Sequence, residues 1–292
     1  MGVKVAGTAR HDARERGLRL VRFGLATLSI LTAVVVWVNW YGAGDPVDAR
    51  AFYDPDYSRP DYLYLWSPAF AQLTAPFRLL PFDAFVGLVR GIELIALVAL
   101  IPYGAWLAIF LPPVAAEINA ANINLALIGC VVLSLRWPAA WLLPLITKPS
   151  MGVGLLWYPV RREWRKLAIA VGATAAIVAV SFALDPVMWV AWAGQLLHAS
   201  DKAGWPFPWP VWPRLPVAAV VVIWGARTNR PWTVPLAAII AMPRFYFLSI
   251  AMFVGLLPLM RPRPLAIEPV PGPEPAPVPE PPPEPTSVAP PV

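Results

Sequence analysis

Along residues 20–260, long apolar runs alternate with short polar or proline-bearing breaks, and that alternation predicts a helical membrane protein. The first run, from about Leu20 to Trp40, has the roughly 20 apolar residues that a spanning helix needs. It ends in Trp40-Tyr41-Gly42 without a small-residue cleavage pattern, so it reads as an uncleaved first span and not as a signal peptide. Residues 41–83 are a polar interval carrying Asp45, Asp48, Asp54, Asp56, Asp61 and Asp83. Pro46, Pro55, Pro60, Pro68, Pro76 and Pro81 punctuate it and exclude one continuous helix. Within it, Tyr62 to Leu80 reads as a short amphipathic helix lying on the membrane. Further apolar segments are expected near 84–101, 103–116, 122–135, 138–148, 150–160, 166–184, 214–226, 231–243 and 245–260. Several are short and broken by Pro102, Pro112, Pro113, Pro144 or Pro149. Such helices persist at membrane depth only where protein or a water-filled cavity covers the freed backbone groups. Trp189 to Trp212, with His198, reads as an aromatic-rich loop. The expected fold class is all-α: a polytopic integral membrane protein of about eight to ten transmembrane helices.

Composition agrees. The chain of 292 residues is 58% hydrophobic and only 14% charged, too little polar surface for a protein in water. Its 15 tryptophans suit a membrane–water boundary. A single cysteine, Cys130, rules out an internal disulfide. In a membrane protein the net charge of +6 reports orientation first, and nucleic-acid binding is excluded. With the N-terminus inside, the cytoplasmic side receives Lys4, Arg10, Arg14, Arg16, Arg19 and Arg22 from the first segment. It also receives Arg136, Arg161, Arg162, Arg165, Lys166, Arg227, Arg230, Arg261 and Arg263, making fifteen of the 23 basic residues. The opposite side receives Asp45, Asp48, Asp54, Asp56, Asp61, Asp83, Glu117, Asp185 and Asp201. Three regions follow: a basic cytoplasmic N-terminus over 1–19, a membrane domain over 20–260, and a proline-rich tail over 261–292. The tail composition cannot bury a core and is expected to be extended, either as a spacer or as a ligand for a proline-binding partner. The expected location is the plasma membrane, multi-pass.

Ionisable groups within or beside apolar segments are costly and therefore candidates for function. Asp45 and Asp48 follow the first span. A carboxylate there suits a general base on a sugar hydroxyl, although Gly44-Asp45-Pro46 is also an ordinary turn sequence. Glu117 with Asn119, Asn122 and Asn124 suits hydrogen bonding to a sugar, or equally a polar contact between helices. Lys148 lies between two short apolar segments beside Pro149. With the hydroxyls of Thr147 and Ser150 it resembles a phosphate site, the alternative being a lysine that snorkels to the interface. Arg244, assigned to the outer side against the charge trend, calls for a phosphate or an outer carboxylate as partner. No nucleotide-binding or metalloprotease motif is present, so the substrates of an enzyme with this sequence are expected to arrive through the membrane.

Four stretches resemble glycosyltransferase family 87 of the GT-C superfamily. Asp48-Ala49-Arg50-Ala51-Phe52-Tyr53 is similar to its acid-plus-aromatics element in the first outer loop. Leu63 to Leu73, containing Trp66-Ser67-Pro68-Ala69 and Gln72, with Pro76, Leu80 and Pro81, is similar to its Ser-Pro block. Trp141 to Trp157, containing Ile146-Thr147-Lys148-Pro149, resembles its Thr-Lys block, followed here by the basic loop Arg161 to Lys166. Ala241-Met242-Pro243 with Phe247 to Met252 resembles its last span. The family often has Gly before the Asn near Glu117, where this chain has Ala121. The resemblance implies a multi-pass enzyme that moves a sugar, typically mannose, from a polyprenyl phosphate to an outward-facing lipid or glycan acceptor. It assigns the base to Asp48, with Asp45, Glu117, Asn122, Lys148 and Arg244 as substrate-binding residues. A divalent metal held by Asp45 or Asp48 would share in stabilising the leaving phosphate. Two other readings fit the same pattern: a transporter or flippase for a lipid-linked sugar, since broken spans with buried charge mark such sites, and a non-catalytic assembly subunit.

Overall fold

The computed structural model describes residues 3–40, 46–57, 66–199 and 210–260. Helices make up every regular element among them, and no strand occurs. Helix α1 (Val3–Trp40) is 38 residues long. At 1.5 Å per residue it extends about 57 Å, more than a hydrocarbon core of roughly 30 Å. Its inward face is one stripe, Ser29, Ala33 and Val36, buried at helical spacing, while Leu20, Phe23, Leu31, Val35 and Val38 are exposed. Short helices α2 (Val47–Tyr53) and α3 (Pro68–Thr74) and the 3₁₀ segment Ala75–Leu79 lie in the described part of the polar interval. Next come α4 (Phe82–Leu100), α5 (Ala105–Ala108), α6 (Pro112–Asn119) and α7 (Asn124–Ser134). Then follow the 3₁₀ turn Pro138–Trp141, α8 (Leu142–Thr147), the 3₁₀ segment Pro149–Leu156 and α9 (Trp157–Val160). The order closes with α10 (Trp164–Leu184), α11 (Pro186–Ala199), α12 (Val211–Arg227), α13 (Thr233–Ile240), the 3₁₀ segment Phe247–Leu256 and α14 (Leu257–Met260).

Among the described residues two helices are long and apolar enough to cross a membrane, α1 over Arg14–Asn39 and α10; the pair α6–α7, bent by 106°, makes a third if it counts as one span. Several expected segments differ in detail. Residues 103–116 split into α5 and α6, because Pro112 and Pro113 open a new helix at its first turn. Residues 189–199 belong to helix α11 and not to a loop. Asp185 Oδ1 accepts a 2.9 Å hydrogen bond from Met188 N, an N-cap that starts the helix before the tryptophans. Trp189 Nε1 donates to Ser181 Oγ at 3.0 Å, which turns that ring toward α10. Residues 200–209 and the His198 side chain lie outside the described residues, as does the tail 261–292. Of the stretch Tyr62 to Leu80 expected to rest on the membrane surface, residues 62–65 lie outside the described residues; Pro68, Ala69, Phe70 and Ala71 are buried, with α3 packed on α8 and α10, while Leu73, Phe77 and Leu79 are exposed. Ser67 explains this placement. Its hydroxyl accepts from Phe70 N at 3.4 Å, capping α3, and it donates to the Ile146 carbonyl of α8.

The core forms where short helices cross closely. A Cβ on Gly225 would lie 1.7 Å from Thr233 Oγ1, so only glycine admits the approach of α13 to α12. At one end of the described unit the turns 134–137, 158–166 and 224–232 converge. Tyr158 hydroxyl donates to Ser134 O at 2.7 Å, and Arg161 Nη1 donates to Ala226 O at 3.3 Å and Asn229 Oδ1 at 3.2 Å. These are loops that the charge distribution assigns to one side.

Candidate functional site

At the other end of α7, five charged side chains from four separate segments gather around the α6–α7 break. The break itself is residues 120–123. Ala121 sits there at φ 49°, fully buried, in the left-handed region that glycine adopts at less cost. Breaking a helix exposes the last carbonyls of α6 and the first amides of α7, and in an apolar surrounding both sets need partners. Helix α4 supplies them from one face. Arg90 Nε donates to Ile118 O at 3.3 Å, and its Nη2 donates to Asn119 O at 2.7 Å and Asn119 Oδ1 at 3.3 Å. Three residues on, Glu93 accepts from Leu125 N at 3.1 Å and Ala126 N at 2.9 Å. Both side chains are almost wholly buried. A cation thus meets the carbonyl end of α6 and an anion meets the amide end of α7, the favourable sense for each helix dipole.

Glu117 completes the cap. Its Oε1 accepts from Asn124 N at 2.8 Å and its Oε2 from Asn124 Nδ2 at 3.0 Å. Asn124 Oδ1 accepts from Lys148 Nζ, so one side-chain amide links the lysine to the glutamate. Asn122 Oδ1 accepts from its neighbour Ile123 N at 2.8 Å. Both Glu117 oxygens and the Asn122 oxygen are therefore engaged within the fold. Of the readings open for this cluster, these bonds match the polar contact between helices.

Lys148 ends α8, its N–H bonded to Pro144 O at 2.8 Å, and the 3₁₀ segment then leads away. Its charge acts on Glu117, Asp48 and Glu93. The Thr147 hydroxyl does not join it: Thr147 Oγ1 donates to Leu143 O at 2.7 Å, as a threonine buried at a helix end satisfies itself. Ser150 Oγ is buried and has no hydrogen-bond partner among the described residues.

Asp48 reaches the same cluster from the first loop. Its backbone N–H donates to Ala120 O at 3.2 Å, fastening α2 to the α6–α7 break. Burial pushes the Asp48 carboxyl above the usual range, and Lys148 opposes that shift. Among the described residues the Asp48 carboxylate accepts no hydrogen bond, unlike Glu93 and Glu117. Asp45 lies outside the described residues. Arg244 stands apart: it is half-buried, forms no hydrogen bond or ion pair with the cluster, and keeps a buried Nη2 without a partner among the described residues. The preceding turn is held by Arg214, which donates to Ile240 O and Pro243 O, each at 3.3 Å.

The aromatic residues of the first loop fasten this arrangement. Phe52 packs edge-on against Trp66 at 4.8 Å and Phe70 at 5.4 Å, and Tyr53 against Phe82 at 5.3 Å and Phe85 at 5.4 Å. Beside Pro149 lies a cavity of about 340 Å³, walled by Ser67, Ile146, Thr174, Val178, Trp189 and Trp192 among others. No group of three His, Cys, Asp or Glu side chains among the described residues is arranged to hold a metal ion. Sequence reading missed Arg90 and Glu93, although a charged pair three residues apart inside an apolar run is itself a signal. No protein-family model matches the chain, nor does any curated protein or solved structure.

Proposed function

We propose that the chain is a polytopic membrane glycosyltransferase of the GT-C kind that moves a sugar from a polyprenyl phosphate to an outward-facing lipid or glycan acceptor. In this reading α4, residues 105–119, α7, residues 138–147, residues 149–160, α12, α13 and residues 247–260 join α1 and α10 as short or broken spans, ten in all. The observation that carries it is Asp48: a half-buried carboxylate with no hydrogen-bond donor on it among the described residues, in the field of Lys148, which lies a hundred positions further along the chain. A base needs a free lone pair, and burial that raises its pKa strengthens it for proton abstraction.

Asp48 takes the proton of the acceptor hydroxyl, and the freed oxygen pair bonds to the anomeric carbon. The bond from that carbon to the phosphate oxygen breaks, its electrons leave with the polyprenyl phosphate, and the configuration inverts. Lys148, with Ser150 near it in sequence, stabilises the leaving phosphate; Arg244, apart from that cluster and with a buried Nη2 that has no partner among the described residues, is assigned to the phosphate by the resemblance alone. The cavity beside Pro149 suits the apolar chain of the donor. Support comes also from three of the stretches that resemble the family, which meet in space through the Phe52 stack and the bond from Ser67 to Ile146.

One observation favours the transporter reading, the 106° break in α6–α7 beside buried charge. Against it, the first amides of α7 are consumed by Glu93 and Glu117, so that helix end has none left for an anionic cargo. Purified protein in liposomes, supplied with radiolabelled polyprenyl-phosphate mannose and an extract of acceptor lipids, separates the two. Transfer of label to acceptor is the expected result. Movement of the labelled donor between leaflets without transfer would replace the enzyme with the transporter.

A further inference from the structure

We propose that the end of the molecule opposite the Asp48 site is a binding surface for anionic phospholipid headgroups, built on Arg162, Arg165 and Arg227. The three converging turns bring seven basic side chains to this end, Arg136, Arg161, Arg162, Arg165, Lys166, Arg227 and Arg230, against one carboxylate, Glu163. They divide into two sets. Arg161 Nε pairs with Glu163 Oε1 at 3.0 Å, and Lys166 Nζ with Glu163 Oε2 at 2.8 Å. Arg136, Arg161 and Arg230 also stack on Trp137, Trp157 and Trp224, with the guanidinium carbon 5.8, 5.0 and 4.8 Å from the ring centroid. Arg162, Arg165 and Arg227 are exposed and make no side-chain hydrogen bond, ion pair or ring contact among the described residues. Arg162 is held at φ 58°, where a non-glycine residue is strained, in the turn between α9 and α10.

A bilayer headgroup fits this surface better than a soluble partner does. The tryptophans that flank it are themselves exposed, Trp137 and Trp164 at 60% and Trp224 at 43%, and interfacial tryptophan beside cationic side chains is the arrangement that a membrane boundary favours. The surface also sits at the start of α10, one of the two helices able to cross a membrane, so its height is that of a headgroup layer. Phosphate diesters would accept hydrogen bonds from the free guanidinium groups without displacing the internal pairs. This inference does not depend on the transferase reading.

The test is native mass spectrometry of the full chain in detergent, titrated with short-chain phosphatidylglycerol or phosphatidylcholine. Wild type should prefer phosphatidylglycerol, and the preference should weaken as salt rises. The triple variant Arg162→Gln, Arg165→Gln, Arg227→Gln should lose about fivefold per charge, on the order of a hundredfold together at low salt. Glu163→Gln should change the preference the other way, because it releases Arg161 and Lys166 from their pairs. A gain of binding cannot come from misfolding, so this second variant decides the matter if the first proves unstable. Wild-type preference in the triple variant, or no gain in Glu163→Gln, overturns the proposal. So does tighter binding of an acidic peptide than of the lipid, which would point to a soluble partner.

Discussion

Asp48 and Lys148 make separate demands on the proposed chemistry. Replacing Asp48 by Asn keeps the shape and removes the proton acceptor, so the transfer rate should fall by about a hundredfold to ten-thousandfold at matched protein level. Asp45→Asn, in the same turn sequence, should be much milder, and equal modest losses in both would return the loop to an ordinary solvated turn. Burial raises the Asp48 carboxyl above its usual range, so keeping it ionised costs the folded state. That contribution to stability is intact below the ordinary value of about 3.9 and is lost as pH rises through the raised one. Asp48→Asn should therefore unfold at a temperature no lower than wild type at neutral pH while losing its activity. The acid limb of the wild-type pH–rate profile should fall above that ordinary value. Lys148 is tested on binding. Lys148→Gln removes a charge-assisted contact of about 1.5–3 kcal/mol, a tenfold to hundredfold loss in donor affinity, read by equilibrium binding of labelled polyprenyl phosphate. Unchanged affinity would make the lysine a structural partner of Asn124 alone.

At the scale of the element, the broken helix α6–α7 stands because α4 caps both sides of the break. Glu93→Ala would leave the amides of Leu125 and Ala126 buried and unpaired, at about 1–3 kcal/mol each. Its melting temperature in detergent should drop clearly, and Glu93→Gln, which retains one acceptor oxygen, should fall between the two. A variant that melts with wild type would show that water reaches those amides. Residues 138–148, 150–160 and 245–260 were legible as separate helical segments because proline and apolar runs act locally. The start of α11 was not legible as helix, since the tryptophans there suggested a loop and the Asp185 cap outweighed that signal.

For the whole molecule, polarity along α7 is the organising fact. Its 11 residues separate the Asp48 cluster at one end from Ser134, beside the basic turns, at the other. That distance is about 16 Å, roughly half of a hydrocarbon core. In the proposed reading the basic end is cytoplasmic and the site faces outward. In a chain whose Cys130 is changed to Ala, a cysteine placed at the exposed Val47 should react with a membrane-impermeant maleimide from outside intact cells, and one placed at Arg162 only after lysis. The reverse labelling would invert the orientation and remove the outward-facing acceptor.

Composition and periodicity by themselves determined that this chain is helical and carries helices apolar enough to cross a membrane, because local runs of apolar residues set both. They also singled out Asp48, Glu117 and Lys148, since each is an ionisable group beside an apolar run. Tertiary structure alone decided which of these groups are spent. Glu117 and Asn122 accept hydrogen bonds at the helix break, Thr147 bonds its own helix, and the Asp48 carboxylate accepts none among the described residues. The physical reason is that hydrogen-bond partners in a buried site are set by contacts between distant segments. α4 reaches the break through Arg90 and Glu93, about 30 positions before the groups they bind.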